Sequence, residues 1–300
     1  MSQASTHRVR RLFITLSKGE RFYWLLILPS LIVFLCIGIY PFAYTLILSM
    51  QTNGQFTVLH NYVELLSSSL VRQAIRNTVI FVLGSVFLEF VIGFISALIM
   101  NASIKGRTIV RMISFLPWAI PVVVAGITFK FMFSDMGGII NTLLMKLRVI
   151  DFPIAWVADK KYAMWALIVA DSWKSFPIIA FLLLAGLQQL PRELFEAARV
   201  DGATGIRTFI YITLPLLRRV IFVALMIRSM QAVAYAFDMV YSLTKGGPGD
   251  ATQVLVTLAR KYSFQFMQFE RGATVAILAL LTGLVLGGGF LVLILREAKK

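Results

Sequence analysis

Five polar side chains recur along one face of an apolar stretch in the C-terminal third of the sequence: Arg228, Gln231, Tyr235, Asp238 and Ser242. At about 100° per residue they fall within an arc of roughly 80° on a helix. A carboxylate, an amide and a phenol in one row can hydrogen-bond a polar solute, and Tyr241 adds a second ring beside them. Ionisable groups in so apolar a segment are costly against lipid, so the stripe is expected to face a protein interior or a water-filled path. Either it lines a path, with Asp171 and Lys174 beside it, or Arg228 is neutralised by Asp171 or Asp238 in a structural ion pair; both can hold. Asp171 and Lys174, three residues apart in another apolar stretch, are spaced to pair with each other. Glu89 stands at the middle of a third stretch without a basic residue nearby, so it is expected either to be protonated or to pair across helices. Lys130, near the end of its stretch, can snorkel to an interface.

Other chemistry finds no residues to carry it. Cys36 is the single cysteine, which excludes an intrachain disulfide, and His7 and His60 stand far apart, so no Cys/His cluster has metal-ligand spacing. No nucleophile–base constellation is evident. No G-x-x-x-x-G-K-[ST] loop is present, so this chain is not expected to hydrolyse ATP or to be catalytic alone.

The elements that must position the stripe are spans. The 300 residues are 59% hydrophobic and only 14% charged, too apolar for an ordinary soluble domain. A helix needs about 20 apolar residues to cross the hydrocarbon layer, and six stretches qualify, at 23–49, 78–100, 112–133, 164–188, 220–243 and 273–295. They are continuous and not alternating, which excludes a membrane barrel. The reading is an all-α polytopic protein: a tail at 1–22, a six-helix domain over 23–295 and a tail at 296–300. The net charge of +15 sorts across these spans. One set of flanks (1–22, 101–111, 189–219, 296–300) carries sixteen basic and five acidic residues, and the other set ten and six. The first set is therefore assigned to the cytoplasm, with both termini. Basic residues in short flanking loops exclude a nucleic-acid role. Prolines at 29, 41, 117, 121 and 177 are expected to bend helices, and Gly283, Gly287, Gly288 and Gly289 to let a neighbouring helix approach. The apolar but charged pieces 139–157 and 254–269 are expected to lie on the outer interface.

Residues 189–219 form the longest cytoplasmic piece. Pro191 and Glu193 suit a helix start, Gly202 a left-handed C-terminal cap, and Thr204 the cap of a second short helix running toward Pro215. Leu194, Ala197, Ala198 and Asp201 share one face, and the two alanines remove bulk so that another surface can come close.

Here the sequence resembles a family. Glu196-Ala197-Ala198, followed by Gly202 and by Ile212-x-Leu214-Pro215, is similar to the EAA motif of importer permeases of the ATP-binding-cassette class. Phe237-Asp-Met-Val-Tyr-Ser-Leu-Thr-Lys-Gly-Gly-Pro248, ending in Gly246, Gly247 and Pro248, resembles a signature of the larger permease half in maltose-type importers. Leu184-Ala-Gly-Leu-Gln188 and Tyr40-Pro41 fit as well. The resemblance implies the type I importer permease fold and alternating access. Residues 191–203 would be a coupling helix docked on a separate ATPase dimer through Glu196, Ala197, Ala198, Asp201 and Gly202. It also implies a second, homologous permease, an external solute-binding protein and a bacterial or archaeal plasma membrane. No cofactor would bind this chain; ATP and Mg²⁺ would belong to the ATPase. The solute would be a sugar, whose hydroxyls suit Gln231 and Asp238 and whose C–H faces suit Tyr235 and Tyr241. The alternative is a proton-coupled secondary transporter using Glu89, Asp171 and Asp238 as relays.

Overall fold

The computed structural model describes residues 18–103 and 105–298. The expectations for the tail at 1–22 and for the last residues therefore lie largely outside the described residues. Apart from one two-stranded hairpin, the regular structure is helical. Helix α1 (Lys18–Val33) passes through a π-helical turn (Phe34–Ile39) into α2 (Tyr40–Ser49), with Pro41 at the start of α2. The hairpin β1–β2 (Gln51–Thr52 and Gln55–Phe56) and α3 (His60–Ser67) lead to α4 (Ser69–Asn101), α5 (Arg107–Ala119) and α6 (Val122–Met132). After α7 (Ile139–Lys146) come α8 (Ala163–Gln188), α9 (Arg192–Val200) and α10 (Gly205–Thr208). Helix α11 (Leu214–Leu243), α12 (Leu255–Arg260) and α13 (Phe269–Ala298) complete the chain.

Five continuous helical segments among the described residues are long and apolar enough to span, but the expected third span is a broken pair: α5 and α6 meet at 93°. Pro121 explains the break. Ile120, before Pro121, is extended (φ −78°, ψ 132°), as steric conflict with the proline ring demands. Pro121 lacks the N–H that would have continued the ladder. Other helices run past their apolar limits: α4 begins at Ser69, nine residues before the expected 78, and Arg72 donates from Nη1 to the Leu66 and Ser67 carbonyls at the end of α3.

Packing centres on α4, α8 and α11. Phe81, Val82, Leu167, Ile168, Met239 and Val240 belong to one core cluster, at the end of the bundle near α12; Phe94, Met100, Ile179, Leu183 and Leu217 belong to a second, at the end near α9. Small residues set the helix spacing. A Cβ on Gly126 of α6 would lie 1.9 Å from Ser242 Oγ of α11, so α6 touches α11 along the stripe. Gly283 and Gly287 likewise meet Val233 and Met230, whereas Gly288 and Gly289 face open space.

The segment 254–269 divides: its first part packs into the bundle, while residues 264–269 are exposed, with Phe264, Phe266 and Phe269 among them. Val254, Leu255 and Leu258 are fully buried. Thr78 Oγ1 accepts from Leu255 N at 2.9 Å, and Asn77 Nδ2 donates to Gln253 O at 3.0 Å, both from α4. Arg260 and Lys261 are half-buried and line one cavity, while Val254, Leu255 and Leu258 fill the bundle.

Candidate functional site

Arg228 is 2% exposed, and it organises the site. Its Nε donates to Glu89 Oε2 at 2.6 Å, and its Nη2 donates to Glu89 Oε1 and to Asp171 Oδ2, both at 2.8 Å. Glu89 comes from α4, Asp171 from α8 and Arg228 from α11, so one guanidinium fork ties three helices. Of the two expectations for Glu89, pairing across helices is the one realised. The partners of Arg228 are Glu89 and Asp171, and Asp238, three turns nearer the outer end, is not among them. Lys174 does not take the Asp171 carboxylate; its Nζ donates to the Trp118 carbonyl at 3.5 Å and lies 6.0 Å from the Trp118 ring centre. The i,i+3 spacing permits a pair, but the multiply bonded, buried Arg228 is the stronger partner.

A cleft of about 570 Å³ opens beside this cluster. The α5–α6 break supplies Trp118 and Pro121, α8 supplies Asp171 and Lys174, and α11 supplies Arg228, Gln231 and Tyr235. Gln231 Oε1 is buried without a hydrogen-bond partner, while the Tyr235 ring stands 55% exposed at the cleft. Farther out, Asp238 and Tyr241 line a second cleft of about 760 Å³ with Phe237, Lys130 and Lys245. Phe237 and Tyr241 stack with centres 5.4 Å apart and planes 10° from parallel. Ser242 does not offer its hydroxyl to either cleft as a donor; it bonds back to the Asp238 and Met239 carbonyls. The sequence stripe is thus shared between two clefts, Arg228, Gln231 and Tyr235 lining the first and Asp238, Tyr241 and Ser242 the second. Sequence reasoning missed the walls that face it, Trp118 and Pro121, because their orientation depends on the break.

The Gly246-Gly247-Pro248 turn follows the C-terminal end of α11. Gly246 (φ +86°) is buried, and a Cβ there would meet Gln253 Oε1 at 2.0 Å, so both its conformation and its space require glycine. Thr252 secures the turn: its N–H donates to Gly246 O and its hydroxyl to Gly247 O at 2.6 Å. The Gly247–Pro248 bond is cis.

On the opposite side, α9 and α10 make a compact knob between α8 and α11. Gly202 is left-handed (φ +70°), and Ala203 N donates to Ala198 O, closing the C-terminus of α9. Thr204 Oγ1 accepts from Arg207 N at 3.4 Å to start α10, which continues through a π-helical turn (Phe209–Thr213) into α11. Glu196, Ala197, Asp201 and Gly202 are exposed, and Ala198 is buried at 6% exposure. Ala198 therefore faces its own chain, although it shares the sequence-predicted face with Ala197.

Comparison with known proteins follows this geometry. Residues 89–299 match the family described as binding-protein-dependent transport system inner membrane component. The trehalose/maltose transport system permease protein MalF of Thermococcus litoralis is 38% identical over 261 residues, 85% of this chain and 87% of that one. The sulfoquinovosyl glycerol transport system permease protein SmoG of Agrobacterium fabrum is 34% identical over 270 residues, 87% of each chain. Among solved structures, a bacterial ABC transporter involved in the import of the acidic polysaccharide alginate superposes with a TM-score of 0.81 at 23% identity, over 93% of this chain and 96% of that one, and so shares the fold. On the matched residues and these relatives, the chain belongs to the family of inner membrane components of binding-protein-dependent transport systems, and it is a multi-pass permease.

Proposed function

We propose that the chain is one of two permease halves of an ATP-driven importer that passes a sugar or sugar-like solute into the cytoplasm by alternating access. The observation that carries this reading is the continuity of one hairpin. Helix α8, the exposed knob and α11 follow one another in the chain, and the same two helices wall the polar cleft of Asp171, Lys174, Arg228, Gln231 and Tyr235. A force on the knob therefore acts on the walls of the cleft. Glu196, Ala197, Asp201 and Gly202 form the surface offered to a cytoplasmic ATPase dimer, which holds ATP and Mg²⁺; this chain holds no cofactor. Ala198 lets α9 pack closely on its own bundle.

The solutes named for the relatives, trehalose, maltose and sulfoquinovosyl glycerol, support a carbohydrate solute. The site chemistry fits one: an amide, a carboxylate and aromatic faces from Gln231, Asp238, Tyr235 and Tyr241 suit hydroxyls and C–H surfaces. The sixteen basic residues flanking one side support a cytoplasmic position for the knob and both termini. An external binding protein delivers solute to the opposite face, and a homologous permease completes the pathway. The proton-relay alternative loses support because Glu89 and Asp171 are both engaged by Arg228.

The test is Glu196→Lys in the assembled transporter. Binding protein loaded with solute is expected to stimulate ATP hydrolysis without uptake, with membrane insertion unchanged. Normal coupled uptake by this variant would remove the knob from the ATPase contact, and uptake driven by a proton gradient without ATP would replace the mechanism.

A further inference from the structure

A third cavity, of about 460 Å³, lies at the outer mouth and belongs to neither cleft described above. Its walls carry three cations, Lys245, Arg260 and Lys261, against one carboxylate, Asp250. That carboxylate is already taken by Lys261 Nζ at 3.0 Å. Lys245 and Arg260 have no carboxylate within ion-pair distance among the described residues; Arg260 lies over the Tyr241 ring instead, 4.6 Å from its centre. Lys160 Nζ adds a fourth positive group, close enough to Gly249 that a Cβ there would come within 3.1 Å of it.

The backbone is bent to make this arrangement. Lys245 (φ +55°) and Asp250 (φ +60°) are both left-handed non-glycine residues, and both line the cavity. Such conformations are costly and persist where the surrounding fold imposes them. Here the bonds of Thr252 to Gly246 and Gly247 impose them.

The cavity also leads somewhere. It shares Tyr241 and Lys245 with the cleft of Asp238. Phe237, Tyr241 and Arg260 form a continuous stack from that cleft up to the cationic wall. A ring can rest against the aromatic layer while a negative substituent reaches the guanidinium and the ammonium.

On the carbohydrate reading above, we infer that this cavity is an entrance subsite for the negative substituent of an acidic saccharide, with Lys245 and Arg260 as its ligands. A carboxylate, sulfonate or phosphate on a sugar meets the same chemistry. Connection to the membrane-depth cleft favours a passing solute over an acidic side chain of the binding protein.

The experiment uses the complete transporter with its binding protein in liposomes. ATP-dependent uptake is measured for maltose and for its uronic acid counterpart, maltobiouronic acid, across a concentration series. Lys245→Gln and Arg260→Gln are each expected to raise KM for the uronic acid about tenfold relative to KM for maltose, the scale of one charge-assisted hydrogen bond, and Arg260→Lys is expected to recover much of the loss. Uptake of maltose with no uptake of the uronic acid by the unaltered transporter overturns the inference and leaves the carbohydrate reading standing. Equal changes in the two KM values overturn it in favour of an acidic docking contact with the binding protein. Uptake of neither solute overturns the carbohydrate reading, and the inference falls with it.

Discussion

Replacing Arg228 with methionine tests the central cluster most directly. The side chain makes three charge-assisted bonds of 2.6, 2.8 and 2.8 Å, and its partners Glu89 and Asp171 are 0% and 4% exposed. Methionine fills much of the volume and removes all three bonds, leaving two carboxylates buried without a cation. Breaking a buried ion pair by removing one partner costs about 3–5 kcal/mol. At about 1.4 kcal/mol per tenfold, 4 kcal/mol lowers the folding equilibrium roughly a thousandfold. Glu89→Gln leaves Arg228 paired with Asp171 and keeps the shape at position 89, so its cost is set near one lost charged bond, about 1.5–3 kcal/mol. The combination Glu89→Gln, Asp171→Asn and Arg228→Met carries no charge at all and is expected to recover to within about 1.5 kcal/mol of the unaltered protein, since neutral replacement of a buried pair is often near-neutral. The assay is denaturant unfolding of the purified transporter in detergent, followed by tryptophan fluorescence and retention of subunits. The reasoning fails if Arg228→Met is no worse than Glu89→Gln, or if the triple variant is as unstable as the single one. Either result would mean that uncompensated buried charge is not what the cluster prevents.

Three further outcomes are expected. Gly126→Ala places a Cβ 1.9 Å from Ser242 Oγ and should cost about 1–3 kcal/mol and lower uptake; adding Ser242→Gly should restore part of both, as denaturation and uptake will show. A Cβ on Gly202 meets no atom of this chain within 4 Å, so the cost of Gly202→Val within the chain is conformational: about 1–2 kcal/mol at the end of α9 and weakened ATPase stimulation, with Gly202→Asn milder. Glu270 accepts from the backbone N–H groups of Asn53 and Gly54 at 2.8 and 2.9 Å; Glu270→Gln should speed protease cleavage in the β1–β2 hairpin by several-fold, while cleavage elsewhere is unchanged.

How legible these features are in the sequence depends on the range of the forces that set them. The knob is readable because its signals are local: Glu193, Gly202 and Thr204 start and stop helices through neighbours a few residues away. A helical wheel gives relative angles but no absolute direction, so it groups Ala197 with Ala198 without showing that only the first is exposed. The break at Pro121 has a visible cause, yet proline also sits inside α8 at Pro177 without ending that helix. What differs is that the direction of α6 is held by its contact with Ser242, a tertiary fact. The partners of Arg228 lie 139 and 57 residues away, beyond any spacing rule. In 254–269, composition treats the segment as one piece, whereas Val254, Leu255 and Leu258 enter the core through contacts with α4 and Phe264 to Phe269 stay exposed.

The three-helix tie has a mechanical consequence. Asp171 lies seventeen residues before the end of α8, and Arg228 fourteen residues after the start of α11. At 1.5 Å per residue, both arms reach roughly 20–25 Å from the tie to the knob. Pinned by these ion pairs, the arms resist splaying, so a push on the knob in the coupling proposed above would rock them together about the tie. A tilt of about 10° then carries the knob roughly 4 Å, while the stretch of α11 beyond the fulcrum, with Asp238 and Tyr241, swings the opposite way. One stroke thus opens one side of the pathway as it closes the other.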